Sequence, residues 1–183
     1  MSGQPAGLQE VYLAVGLALL GSAPQAFAFP GKEVTKTCVK AQSTSAGIAY
    51  DNIPVSRIDE TGNEDTGTTQ TTIRFGREEM GTWETNVPDS FGIVYNGKQI
   101  FLDRVIRLSK EEPAQFRTAL ARWGVVRTGS KSYICITFNF EGLGQSGSFQ
   151  NVRGIYLIDR RAHPVKSFYA VGRVTENDVM LAK

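Results

Sequence analysis

Residues 91–108, FGIVYNGKQIFLDRVIRL, carry the reading that decides the fold. Two apolar stretches flank Asn96 and Gly97, and an Asn-Gly pair supplies the positive φ angles that a two-residue type I′ turn needs. That turn sets Tyr95 against Lys98, Ile93 against Ile100 and Phe91 against Leu102. Phe91, Ile93, Ile100 and Leu102 then share one face, so pattern and turn agree on a single register. A hairpin with one apolar face has to bury it against another layer.

Immediately downstream, residues 109–124 read as the principal helix. Ser109 and Glu112 have the spacing of a capping box, and Pro113 falls in the first turn, where its missing N–H is tolerated. Phe116, Ala119, Leu120 and Trp123 follow the i, i+3, i+4, i+7 spacing of a buried stripe, and Gly124 is a natural stop. Residues 131–140 then read as a strand, with Ile134, Ile136, Phe138 and Phe140 on one face and Tyr133, Cys135, Thr137 and Asn139 on the other. Residues 141–151 (EGLGQSGSFQN) form a Gly- and Ser-rich connection. Residues 154–158 and 165–174 are two further strands, joined by a turn at 159–164.

Upstream of the hairpin, residues 68–75 (TTQTTIRF) read as a Thr-rich strand and residues 33–40 (EVTKTCVK) as a Val- and Thr-rich first strand. Residues 51–67 are polar and read as an exposed loop. Strands that follow one another through short turns argue for antiparallel pairing. The expected fold is a single α+β domain, a mainly antiparallel curved sheet with one principal helix packed on it; a closed barrel is the alternative.

The first 28 residues differ from the rest. An apolar run at 11–20 (VYLAVGLALL) is followed by Gly21, Ser22 and Pro24 and then by Ala26-Phe27-Ala28. This is the layout of a secretory signal peptide cleaved after Ala28, although the stretch before the run holds no Lys or Arg. The run is shorter than the roughly 20 residues a membrane-spanning helix requires. A buried N-terminal helix is the competing reading. The expected organisation is a signal peptide over 1–28 and one domain over 29–183, in a periplasmic or secreted location. In that setting Cys38 and Cys135, the chain's two cysteines, are expected to pair as a disulfide.

The chain carries 20 Lys and Arg against 18 Asp and Glu, a net charge of +2, too small an excess to favour nucleic acid. Acids dominate residues 51–91, whereas bases dominate 104–131 and 150–173, which implies a two-signed surface. His163 is the sole histidine, so mechanisms that need two histidines, and zinc sites built on several, are excluded. With Asp159 it brackets a turn, where Asp and Pro are common for backbone reasons. Residues 59–65 lack the spacing of a calcium loop. Residues 142–147 match G-x-G-x-x-G but precede a strand rather than a helix, so the dinucleotide reading fails.

Two clusters remain. Glu78, Glu79 and Glu84 surround Trp83, and glycosidases pair two carboxylates beside a sugar-binding aromatic. Arg117, Arg122, Arg127, Arg160 and Arg161 have the charge to meet phosphates or an acidic protein. No complete catalytic constellation emerges, and no metal or cofactor is expected. The expected function is an exported small binding or inhibitory protein of the immunity type. It would neutralise a secreted enzyme or toxin through Arg117, Arg122, Arg160, Arg161 and Trp83. A hydrolase using carboxylates near Trp83 and a subunit of an envelope or secretion assembly are the alternatives. The expected partner is a protein, with no nucleic acid and no stable membrane span.

Overall fold

A computed structural model describes residues 29–86, 90–140 and 151–182. The expected signal peptide and most of the Gly- and Ser-rich connection therefore lie outside the described residues. The described chain is mostly β-sheet, with one α-helix, in an α+β arrangement.

The expected hairpin is present. Strand β5 (Phe91–Tyr95) pairs with β6 (Lys98–Phe101), matching Tyr95 to Lys98 and Ile93 to Ile100. Asn96 and Gly97 sit at φ 50° and 73°, the left-handed pair that a type I′ turn requires. The ladder ends one step earlier than expected, because Leu102 leaves the strand for a short 3-10 turn at Leu102–Arg104.

The hairpin belongs to a five-stranded antiparallel sheet in the order β2-β3-β4-β5-β6, with β2 at Asp59–Asn63, β3 at Thr68–Phe75 and β4 at Glu78–Thr85. One expectation is corrected here. The polar stretch at 51–67 is not one loop: it contains β2 and the end of β1 (Ile48–Ile53). An edge strand has one paired side and one wet side, so β2 keeps charged, exposed residues and lacks the apolar alternation that would reveal it. The acidic stretch around Trp83, left without an assigned element above, is strand β4, with Met80 and Thr82 turned inward and buried.

The second sheet runs β1-β8-β9-β10-β11-β12, with β7 beside β11. Its further members are β7 (Ile106–Arg107), β8 (Arg122–Thr128), β9 (Lys131–Asn139), β10 (Val152–Asp159), β11 (Lys166–Val174) and β12 (Val179–Leu181). Its pairings are antiparallel except β7 with β11. The central strands are buried on both faces, which explains their near-continuous apolar character. Ile134, Ile136, Tyr156, Ile158, Tyr169 and Val171 face the five-stranded sheet and share one core with Ile73, Met80, Ile93 and Tyr95. Tyr133, Cys135, Ile155, Leu157, Phe168 and Ala170 face the other way.

What covers that second face corrects the helix assignment. The α-helix is α1 (Lys32–Lys40), the segment whose Val and Thr content pointed to a strand. Its buried residues Val34, Thr35, Thr37, Cys38 and Val39 recur at helical spacing, and Ala41 closes it at φ 54° with its N–H turned back to Cys38 O. Tertiary burial overrides a weak β preference here. Cys38 and Cys135 form a disulfide, with Cα atoms 5.6 Å apart and a separation of 97 positions in sequence. It joins α1 to β9 in the middle of the sheet.

The segment expected to be the principal helix is extended and irregular up to a 3-10 turn at Thr118–Leu120, after which β8 begins. The groups expected to cap the helix are used elsewhere. The Ser109 hydroxyl accepts the Val171 N–H at 3.2 Å, and Glu112 pairs with Arg107. Phe116 and Trp123 still meet in the core, at 6.1 Å between ring centroids, so their burial was read correctly although their periodicity was not.

Candidate functional site

The segment 114–120 closes one end of the space between the two sheets, and both sheets hold it. Thr118 donates to Thr71 O at 3.1 Å and lies 2.9 Å from the Thr82 hydroxyl. The Trp123 indole N–H donates to Thr118 O at 3.1 Å. The Tyr156 hydroxyl donates to Ala114 O at 2.6 Å, and burial pushes that phenol's pKa up.

These anchors turn alternate side chains in and out. Phe116 and Thr118 are buried, while Arg117 is exposed and Leu120 keeps 44% of its surface exposed. Phe116 stacks on Phe138 at 5.1 Å, and Phe138 stacks on Tyr156 at 5.7 Å. The result is a cleft of about 340 Å³ with an aromatic floor, walled by Leu120 and Phe140 and rimmed by Arg117, Gln115 and Asn139. A concave, mostly apolar site with a few polar groups at its mouth suits an apolar anchor from a partner, with an acidic group near Arg117.

The sequence-derived binding residues do not converge on this cleft. Among the described residues, Arg117 is the one of them that lines it. Arg122 starts β8, paired with Thr137, whose side chain faces α1: its hydroxyl donates to Cys38 O at 2.8 Å. Arg160 and Arg161 occupy the turn after β10, about 20 Å along the strand from the cleft. Arg160 is committed to Glu78, donating from Nε to Oε1 at 2.9 Å and from Nη2 to Oε2. Arg161 is exposed, with its backbone N–H donating to Asp159 Oδ1 at 3.0 Å. Arg127 pairs with Asp51 at 2.8 Å. Trp83 lies buried on the side of the five-stranded sheet away from the shared core.

The acids near Trp83 are also dispersed. Glu78 and Glu84 sit at opposite ends of β4, six residues and therefore about 20 Å apart. Paired glycosidase carboxylates lie about 5–10 Å apart. Glu79 projects from the opposite face and accepts the Thr72 hydroxyl at 3.1 Å. The Tyr95 hydroxyl donates to Glu78, and burial, then that hydrogen bond, push its pKa up to about 12. Among the described residues, no three His, Cys, Asp or Glu side chains are grouped to hold a metal, and no helix is long and apolar enough to cross a membrane.

Sequence reasoning missed Phe116, Leu120 and Phe140 as a cleft because it placed two of them on one helical stripe. The usable signal was Pro113, which has no N–H to return to the Ser109 carbonyl in the first turn of the expected helix. Comparison with family models, with curated proteins and with solved structures returns no match.

Proposed function

We propose that the chain is an exported, non-catalytic binding protein that captures a protein partner through the Phe116–Phe138 cleft, in the manner of an immunity or inhibitor protein. The observation that carries this reading is the cleft itself. A rigid aromatic floor, held by hydrogen bonds to both sheets, opens beside an exposed leucine and an arginine. Such a constellation suits a buried apolar anchor flanked by an acid, the arrangement that concentrates binding energy at protein interfaces. The Cys38–Cys135 disulfide supports an oxidising compartment. Residues 1–28 act as the export signal, and residues 29–183 act as one domain whose sheets curve around the shared core.

The test compares wild-type protein with Leu120→Lys and Arg117→Glu as baits for the exported fraction of the source cells, at low and moderate salt. The reading expects one stoichiometric partner, retained by the wild type and lost by both variants, whose enzymatic or toxic activity falls on binding. A partner held equally by all three baits, or none at either salt, overturns it.

A further inference from the structure

The outward face of the five-stranded sheet has a chemistry unlike that of the cleft. Strand register places Thr61 beside Gln70, Gln70 beside Trp83, and Trp83 across Gly92 from Phe101. Alternation puts these side chains on the face opposite Ile73, Met80 and Ile93. Gln99 lies two residues before Phe101 on the same face of β6. Gln70 and Gln99 line one groove of about 390 Å³ together with Thr61, Asn63, Thr66 and Thr68. Every side chain named there is an amide or a hydroxyl; none is ionisable and none is purely apolar.

Beside the groove, in the row that runs from Gln70 to the sheet edge, stands an aromatic pair. Phe101, at the sheet edge, is 48% exposed, and its ring meets Trp83 edge to face at 4.9 Å. Trp83 is held rigidly. Its indole lies so close over Gly92 that a Cβ there would come within 2.4 Å of Nε1. The indole N–H is buried and meets no acceptor among the described residues, a rare condition for a buried donor.

We infer that this face is a binding site for a neutral oligosaccharide. A sugar ring presents a C–H face, which stacks on an exposed aromatic ring, and a rim of hydroxyls that both donate and accept. Gln70, Gln99 and Asn63 match that rim, since each amide donates through NH₂ and accepts through C=O. Among the described residues, an anionic ligand finds no cation lining this groove, and an apolar ligand finds only Phe101 beside it. Trp83 is a positioning residue: it fixes the Phe101 ring from behind and leaves an unsatisfied donor beside it. The site is separate from the Arg117 cleft, so either stands without the other.

Backbone-amide NMR titration of the whole exported chain with cellotetraose, chitotetraose and maltotetraose tests the inference. At least one is expected to shift the signals of residues 70, 83, 99 and 101 and to saturate below about 10 mM. Gln99→Ala and Phe101→Ala should each weaken that binding by roughly tenfold or more, with unchanged urea midpoints. Gln99 is exposed on an edge strand, so its variant remains informative should Phe101→Ala misfold. Three outcomes overturn the site: no shifts from any of the three saccharides, shifts confined to residues 115–120, or Gln99→Ala binding as wild type.

Discussion

Arg160 holds Glu78 across the two sheets: its Nε donates to Oε1 at 2.9 Å, its Nη2 donates to Oε2, and its Nη1 donates to the Ser132 hydroxyl at 3.1 Å. Glu78 opens β4 in the five-stranded sheet and Arg160 follows β10 in the seven-stranded one. Their side chains are 15% and 29% exposed, so the pair is partly shielded from water. The sequence showed these residues as a candidate acid and a candidate binding arginine; the fold uses them on each other. Arg160→Ala strips Glu78 of a two-point charged partner, and the expected loss is about 1–3 kcal/mol of stability by urea unfolding. Tyr95→Phe removes one hydrogen bond to the same carboxylate and should cost about 1 kcal/mol or less. A wild-type midpoint for Arg160→Ala would show that the pair contributes nothing to holding the sheets.

The disulfide makes a larger prediction. It closes a loop spanning 97 positions in sequence, for which the chain-entropy model gives up to about 4–5 kcal/mol. The Cys38→Ala/Cys135→Ala double variant should unfold at clearly lower urea. Amide protection in α1 should fall first, because Cys38 is the covalent anchor of the layer that covers Tyr133, Ile155 and Phe168. Mass spectrometry without reduction should find no free thiol in the folded protein.

Alkaline pH should weaken the fold. Burial raises the pKa of Tyr50 and Tyr95 to about 12 from an ordinary 10.0, and those of Tyr133, Tyr156 and Tyr169 are raised as well. A group whose pKa is raised by folding contributes stability that is complete below its unfolded value and is lost as pH rises through the folded value. Urea midpoints should therefore hold up to pH 10 and fall steeply toward about pH 12, with tyrosinate absorbance appearing together with unfolding. Tyrosinate that titrates near pH 10 in the still-folded protein would contradict the burial of these rings.

Gly92→Ala should be costly although the change is one methyl group. The new Cβ would lie 2.3 Å from Ile100 O and 2.4 Å from the Trp83 indole, and the backbone oxygen has nowhere to go. Overpacking of this kind costs about 1–3 kcal/mol. Trp83 emission should shift as its ring is displaced from Phe101; an unchanged spectrum and midpoint would mean that the contact is looser than described.

How much of this was legible in the sequence depends on where each strand lies. The β5–β6 turn was readable because Asn96-Gly97 is a local cue that needs no partner. The apolar row Ile134, Ile136 and Phe138 of β9 was readable from its alternation; the burial of the opposite row was not, because it contains Thr137 and Asn139 and depends on α1 covering that face. The helix and strand exchange was not, since it turns on non-local facts: Ser109 serves β11, Glu112 serves Arg107, and α1 is specified by the face it covers rather than by its Val and Thr content. Of the candidate site, Arg117 was visible as a charge and Trp83 as an aromatic. Their separation, and the cleft formed by Phe116, Phe138 and Leu120, depend on how the two sheets meet.

The central claim is capture of a partner through the cleft, and the most direct measurement places a photo-activatable phenylalanine analogue at residue 120 in the otherwise native exported chain. Irradiation in source cells should yield one dominant cross-linked partner at residue 120, none at the exposed control residue Met180, and loss of the adduct in Arg117→Glu. Equal adducts at 120 and 180, or an adduct indifferent to Arg117→Glu, would contradict the account.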